Sequence, residues 1–123
     1  LKFLRPYADE GLFVYADSAD PRLIDEVALG GIVIYGAQKG AGSILAGIDK
    51  MQTFEIFTTR QSVHLQSEFR KYVWSKDKDG NYINVPEDHD NHLIDAARYY
   101  ILAVLLGKVM KPRKASKSDL GVY

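Results

Sequence analysis

Cysteine is absent from this 123-residue chain, tryptophan occurs once, and the charges cancel, with 16 Lys+Arg against 16 Asp+Glu. Without cysteine there can be no thiol catalysis, Cys-ligated zinc, iron–sulfur site or disulfide framework, which fits a reducing compartment. A formal net charge of zero means that no whole-molecule field draws the chain to nucleic acid or an anionic membrane, so any contact with DNA has to be local. Long apolar runs are missing too: the longest, Tyr99 to Leu106, has eight residues, where a membrane span needs about 20. No basic stretch followed by an apolar segment opens the chain, so neither a secretory signal nor a membrane partner is expected. Its first residue is Leu1 rather than Met, so it is expected to be a piece of a longer polypeptide.

The 46% of hydrophobic residues suffice for one core without a metal or disulfide staple. Residues 1–110 are expected to form a single α/β domain. Around Pro112 the composition turns basic (Lys108, Lys111, Arg113, Lys114, Lys117), and 111–123 reads as a solvated, flexible tail. Leu12 to Asp17 reads as a strand, and Asp20 with Pro21 as the N-cap and first residue of a helix running to Leu29. Ile32 to Tyr35 follows as a strand, Gly36 to Gly42 as a loop, and Ser43 to Gln52 as a helix with Ile44, Leu45, Ile48 and Met51 inward. Phe54 to Thr58 is predicted to be a third strand and Ser62 to Tyr72 a third helix. Asp79-Gly80 signals a hairpin between Tyr72–Ser75 and Tyr82–Val85. The longest helical pattern, Asp90 to Lys108, places Leu93, Ala96, Ala97, Tyr100, Ile101, Val104 and Leu105 on its apolar face. Strands alternating with helices imply parallel crossovers and a sheet covered on both faces.

Asp17 closes the first strand, and ligands bind at the carboxyl ends of strands in open parallel sheets, so it is either a loop cap or a metal ligand. The run Asp88-His89-Asp90-Asn91-His92-Leu93-Ile94-Asp95 is the densest set of oxygen and imidazole donors in the chain. His92 and Asp95 are three apart and share a helix face in the first turn, where the dipole favours negative charge. Helix capping explains Asp88 and Asp90 well, and Asp95 with His92 poorly. Gly36 to Ser43 lacks the GK[ST] ending of a nucleotide-binding loop. It is either a flexible turn or a backbone nest from which Lys39 reaches a nucleic-acid phosphate. Asp77, Asp79 and Gly80 imitate a calcium loop without its closing Glu, and calcium is rejected. His64 and Glu68, four apart on the third helix, are a paired site or simply an exposed face.

Together these strings resemble a known family. Ala16-Asp17-Ser18-Ala19-Asp20-Pro21, then Lys39-Gly40-Ala41-Gly42-Ser43-Ile44 with Gly47-Ile48, then Glu68 with Tyr72 and Trp74, then Asn91 to Tyr99 occur in the order found in the C-terminal nuclease domain of tailed-phage terminase large subunits. The resemblance covers about residues 12–100 and implies a partial RNase H-like fold whose carboxylates hold two divalent cations, Mg²⁺ or Mn²⁺. Asp17 matches the family's second catalytic acid, Asp95 its last acid, and His92 the histidine one helical turn before it. On the same resemblance Lys39, Ser18 and Ser43 are assigned to the DNA backbone, and Glu68 is a further candidate. The implied partners are double-stranded DNA, a portal protein and the small terminase subunit, and the implied place is the host cytoplasm, transiently at the procapsid portal.

The family's first three antiparallel strands, one bearing another catalytic Asp, are missing; they should precede Leu1 to Gly11, which resembles the end of the intervening helix. Without that acid, affinity for at least one cation should fall, and the fragment by itself is expected to be inactive. The ATP-driven motor that precedes this domain is absent as well. A competing reading is a non-catalytic docking module that binds a portal or small-subunit partner.

Overall fold

The computed structural model describes residues 1–107 and the backbone of 109–110; Lys108 and the expected basic tail, 111–123, lie outside the described residues. A short helix α1 (Arg5–Asp9) precedes strand β1 (Val14–Ala16), helix α2 (Pro21–Leu29) and strand β2 (Ile34–Ala37). Then come helices α3 (Ser43–Gln52) and α4 (Val63–Lys71), the hairpin strands β3 (Trp74–Lys76) and β4 (Tyr82–Pro86), helix α5 (His92–Leu106) and the short strand β5 (Val109–Met110).

The parallel pair expected from the β–α–β alternation is present. β1 and β2 run in register from Val14 opposite Ile34 to Ala16 opposite Gly36, and α2 makes the crossover. Its start is the expected one, with the Asp20 carboxylate accepting the Arg22 N–H at 3.1 Å and Pro21 as first helical residue. The sheet is nonetheless mixed: β5 pairs antiparallel to β2, with Gly36 opposite Met110.

The third strand expected at Phe54 to Thr58 is irregular instead. A strand needs a ladder to satisfy its N–H and C=O groups, and this segment joins neither sheet. Phe54, Ile56 and Phe57 consequently stay exposed.

Helix α3 spans the expected residues, and Ile48 and Met51 are buried, whereas Ile44 is exposed. Helix α5 differs more. Its expected apolar face is largely exposed at Leu93, Tyr100, Val104 and Leu105, and the face that packs holds Ile94, Arg98, Tyr99, Leu102 and Ala103. Residues 99–106 are apolar all round, so their spacing does not select a face. Packing against α3 selects it, at Gly47, where an added Cβ would lie 2.4 Å from Arg98 Cγ and 3.6 Å from Leu102 Cγ.

The start of α5 is capped from a distance. Asn91 occupies the N-cap but makes no side-chain cap bond. Glu68 of α4 fills that role instead, its Oε2 accepting the N–H groups of Leu93 at 2.8 Å and Ile94 at 3.0 Å across 25 and 26 residues. A carboxylate suits this position because free N–H groups and the positive end of the helix dipole meet there. Glu68→Ala is expected to destabilise the chain by about 1–2 kcal/mol, because the Ile94 N–H loses its acceptor in a place closed to water. Urea unfolding tests this; wild-type stability in Glu68→Ala would exclude the cap, and Glu68→Gln should recover part of the loss.

Candidate metal and nucleic-acid site

β1 ends at Ala16, and the chain turns at once through Asp17, whose Oδ1 accepts the Ala19 N–H at 2.8 Å. β2 takes in Gly36 and Ala37, which were expected in the loop, and at its carboxyl end the shorter turn, Gln38 to Gly42, carries Lys39 back over Asp17. Lys39 Nζ lies 2.6 Å from Asp17 Oδ1, and both side chains are about half exposed, at 46% and 52%. The Lys39 ammonium holds the Asp17 carboxyl below its usual pKa, against a smaller opposing effect of burial, and the carboxylate raises the Lys39 pKa in return.

Helix α5 closes the site from the side. Tyr99 donates its hydroxyl to Asp17 Oδ2 at 3.5 Å, and Lys39 Nζ stands 5.8 Å from the centre of its ring. Asp95 lies one helical turn before Tyr99 on the same face, and its Oδ1 accepts from Arg98 Nη2 at 3.1 Å. The Arg98 side chain is only 5% exposed and that of Asp95 27%. Burial lifts the Tyr72 phenol pKa, and the nearby Asp95 carboxylate adds to it.

The expected site residues therefore separate into two groups. Asp17 and Lys39 meet at the carboxyl end of the parallel pair, where α5 reaches Asp17 through Tyr99, while Asp95, one helical turn earlier, is paired with Arg98. His92, the first residue of α5, is exposed at that helix's N-terminus. Ser18 and Ser43 both bond within the turns around the site: Ser18 Oγ donates to the Ala37 carbonyl at 2.6 Å, and the buried Ser43 Oγ accepts from the Gly40 N–H at 3.4 Å. Both shape the turn that carries Lys39. Glu68 is occupied as the cap of α5, and its expected partner His64 is exposed.

Asp88 and Asp90, expected to cap α5, instead hold the loop before it. Asp88 Oδ1 accepts from the Asn91 amide at 3.1 Å. Asp90 has φ +48° and lies 3.3 Å from His89 Nδ1, while Glu87 lies 2.7 Å from His89 Nε2. Glu87 first and Asp90 second raise the pKa of this exposed histidine.

Nothing in the local pattern marks Tyr99 and Arg98 as site residues beyond their spacing from Asp95, i+4 and i+3, and the neighbouring Tyr100 face carries the stronger apolar pattern.

The carboxylate oxygens and imidazole here suit a hard divalent cation. Asp17 already holds a cation of the chain itself at Oδ1. Among the described residues no three His, Asp or Glu side chains converge as a metal-holding group, so the fit is that of part of a shell.

Residues 10–102 match the family described as Terminase RNAseH like domain. The chain is 37% identical over 102 residues to the terminase large subunit of Bacillus phage SPP1, an alignment covering 79% of this chain and 24% of that protein, so the chain spans about a quarter of that relative's length. It is also similar to a crystal structure of the large terminase nuclease domain from bacteriophage SPP1 with bound Mn, with a TM-score of 0.71 and 34% identity over 81% of this chain and 59% of that one.

Proposed function

Because the chain belongs to the terminase RNase H-like domain family, we propose that it forms part of a divalent-metal-dependent endonuclease domain in a phage terminase large subunit, cutting concatemeric DNA during genome packaging. The observation that supports this reading is the contact of Asp17, from the end of β1, with Tyr99, which lies one helical turn after Asp95 on α5.

In this reading Asp17 and Asp95 ligate Mg²⁺ or Mn²⁺, and His92 assists at the start of α5 as a ligand or by orienting water. The cations, when bound, activate the attacking water and stabilise the leaving oxygen. The chain's own groups do the positioning. Tyr99 holds Oδ2 of Asp17, while Oδ1 takes the Ala19 N–H and the Lys39 ammonium, and Arg98 holds Oδ1 of Asp95. Glu68 fixes the first turn of α5, and with it His92, while Lys39 steadies the DNA backbone. Another acid, on the strands that the family resemblance places upstream, completes the shell. The proposal extends to a portal protein and the small terminase subunit as partners, to the host cytoplasm at the procapsid portal as its place of action, and to ATP use only in an upstream motor.

A plasmid-cleavage assay with Mn²⁺ tests this on the 123-residue chain and on a chain extended upstream through the three strands. Cleavage is expected from the longer chain alone. Cleavage by neither would overturn the endonuclease reading, and cleavage by the shorter would overturn the division of the site.

A further inference from the structure

We propose that Lys39 is a displaceable counter-ion of Asp17: its ammonium holds the carboxylate until a divalent cation replaces it, and the released side chain then takes a DNA phosphate. This rests on the reading of Asp17 as a cation ligand. It assigns Lys39 a second task, coupling cation entry to the grip on DNA.

Three features carry the inference. The first is geometric: Nζ sits 2.6 Å from Asp17 Oδ1, so the ammonium stands where a cation approaching that oxygen would have to come. A second positive charge cannot share the place without strong repulsion. The second is the weakness of the pair. With both side chains about half in water, such an ion pair shifts an equilibrium by no more than about fivefold, which a divalent cation readily overcomes.

The third is that the two partners are held unequally. Asp17 is anchored by the Ala19 N–H on Oδ1 and the Tyr99 hydroxyl on Oδ2. Lys39 belongs to a turn outside the strand ladder, and Cβ atoms added at Gly40 and Gly42 would meet nothing within 4 Å. Exchange therefore moves the lysine and leaves the carboxylate in position. The Tyr99 ring, 5.8 Å from Nζ, offers the ammonium a second favourable surface as it leaves.

The test measures Mn²⁺ binding to the 123-residue chain by water-proton relaxation, in wild type, Lys39→Gln, Lys39→Arg and, as a charge control, Lys76→Gln on the hairpin. Lys39→Gln is expected to bind Mn²⁺ about two- to fivefold more tightly, with Lys39→Arg and Lys76→Gln near wild type. A second measurement takes the affinity for a duplex oligonucleotide, by fluorescence anisotropy at constant ionic strength, with and without Mg²⁺. The ratio of wild-type to Lys39→Gln affinity should rise about two- to fivefold when Mg²⁺ is added, as reciprocal linkage requires. Unchanged or weaker Mn²⁺ binding by Lys39→Gln, or an affinity ratio that ignores Mg²⁺, would overturn the proposal while leaving the metal reading standing. Mn²⁺ binding by none of the four proteins would overturn both.

Discussion

Asp95→Asn is expected to lower Mn²⁺-dependent cleavage at least about 100-fold in the chain extended through the upstream strands. Groups that merely orient a metal ligand are worth 10–100-fold when removed, and Asp95 is read here as a ligand itself. The sequence, with its crowd of acids around residue 90, suggests that this substitution leaves stability nearly unchanged, as relief of repulsion. The structure corrects that expectation. Asp95 is the charged partner of Arg98, whose side chain is 5% exposed, so the neutral amide leaves a buried guanidinium uncompensated. Loss of one charge from a buried pair costs 3–5 kcal/mol. Asn retains an oxygen that can accept from Arg98, and Asp95 is 27% exposed, so a loss of about 1–2 kcal/mol is expected. Cleavage assays and urea unfolding of the same variant separate the two effects, and Asp95→Asn that still cuts DNA with Mn²⁺ would remove Asp95 from the site.

Gly47→Ala should destabilise the chain by about 1 kcal/mol, although the helix itself would favour alanine. In an exposed helix interior the change gains about 1 kcal/mol. Here the new methyl would lie 2.4 Å from Arg98 Cγ and 2.7 Å from its Cδ. These atoms belong to the stem of a buried side chain rather than to a free end, so α3 and α5 must separate or Arg98 must leave its rotamer. Overpacking of this kind costs 1–3 kcal/mol and outweighs the helical gain where neither helix can yield. The prediction carries a functional arm, because a displaced Arg98 releases Asp95; cleavage by the extended chain should fall as well. Thermal unfolding decides the sign, and a Tm at or above wild type would show that the contact relaxes without cost. A cycle with Arg98→Ala adds a second check: if the clash is the cause, Gly47→Ala becomes neutral or stabilising in that background.

Where the signal lay in a few neighbouring residues, the sequence was readable. Asp20-Pro21 placed the start of α2 and Asp79-Gly80 placed the hairpin, in which Asp77 Oδ1 accepts from the N–H groups of Asp79 and Asn81, each at 2.9 Å, and Gly80 takes φ +82°. The span of α3, the parallel pairing of β1 with β2, and Asp17 at a strand's carboxyl end were equally legible, because capping, turn formation and hydrophobic periodicity act over a handful of residues. Tertiary partners decided the rest. Phe54 to Thr58 has strand composition but forms no ladder with a strand among the described residues. The buried face of α5 was set by the close approach at Gly47, because an all-apolar stretch carries no phase of its own. Glu68 became a helix cap, Ser18 and Ser43 became loop braces, and Lys39 met Asp17, all through contacts between groups remote in sequence or on separate turns. Sequence by itself determined most of the helix spans, the cap of α2 and the hairpin turn. Only the tertiary structure decided which cation each acid faces, because an ion pair depends on distance in space, which local pattern does not encode.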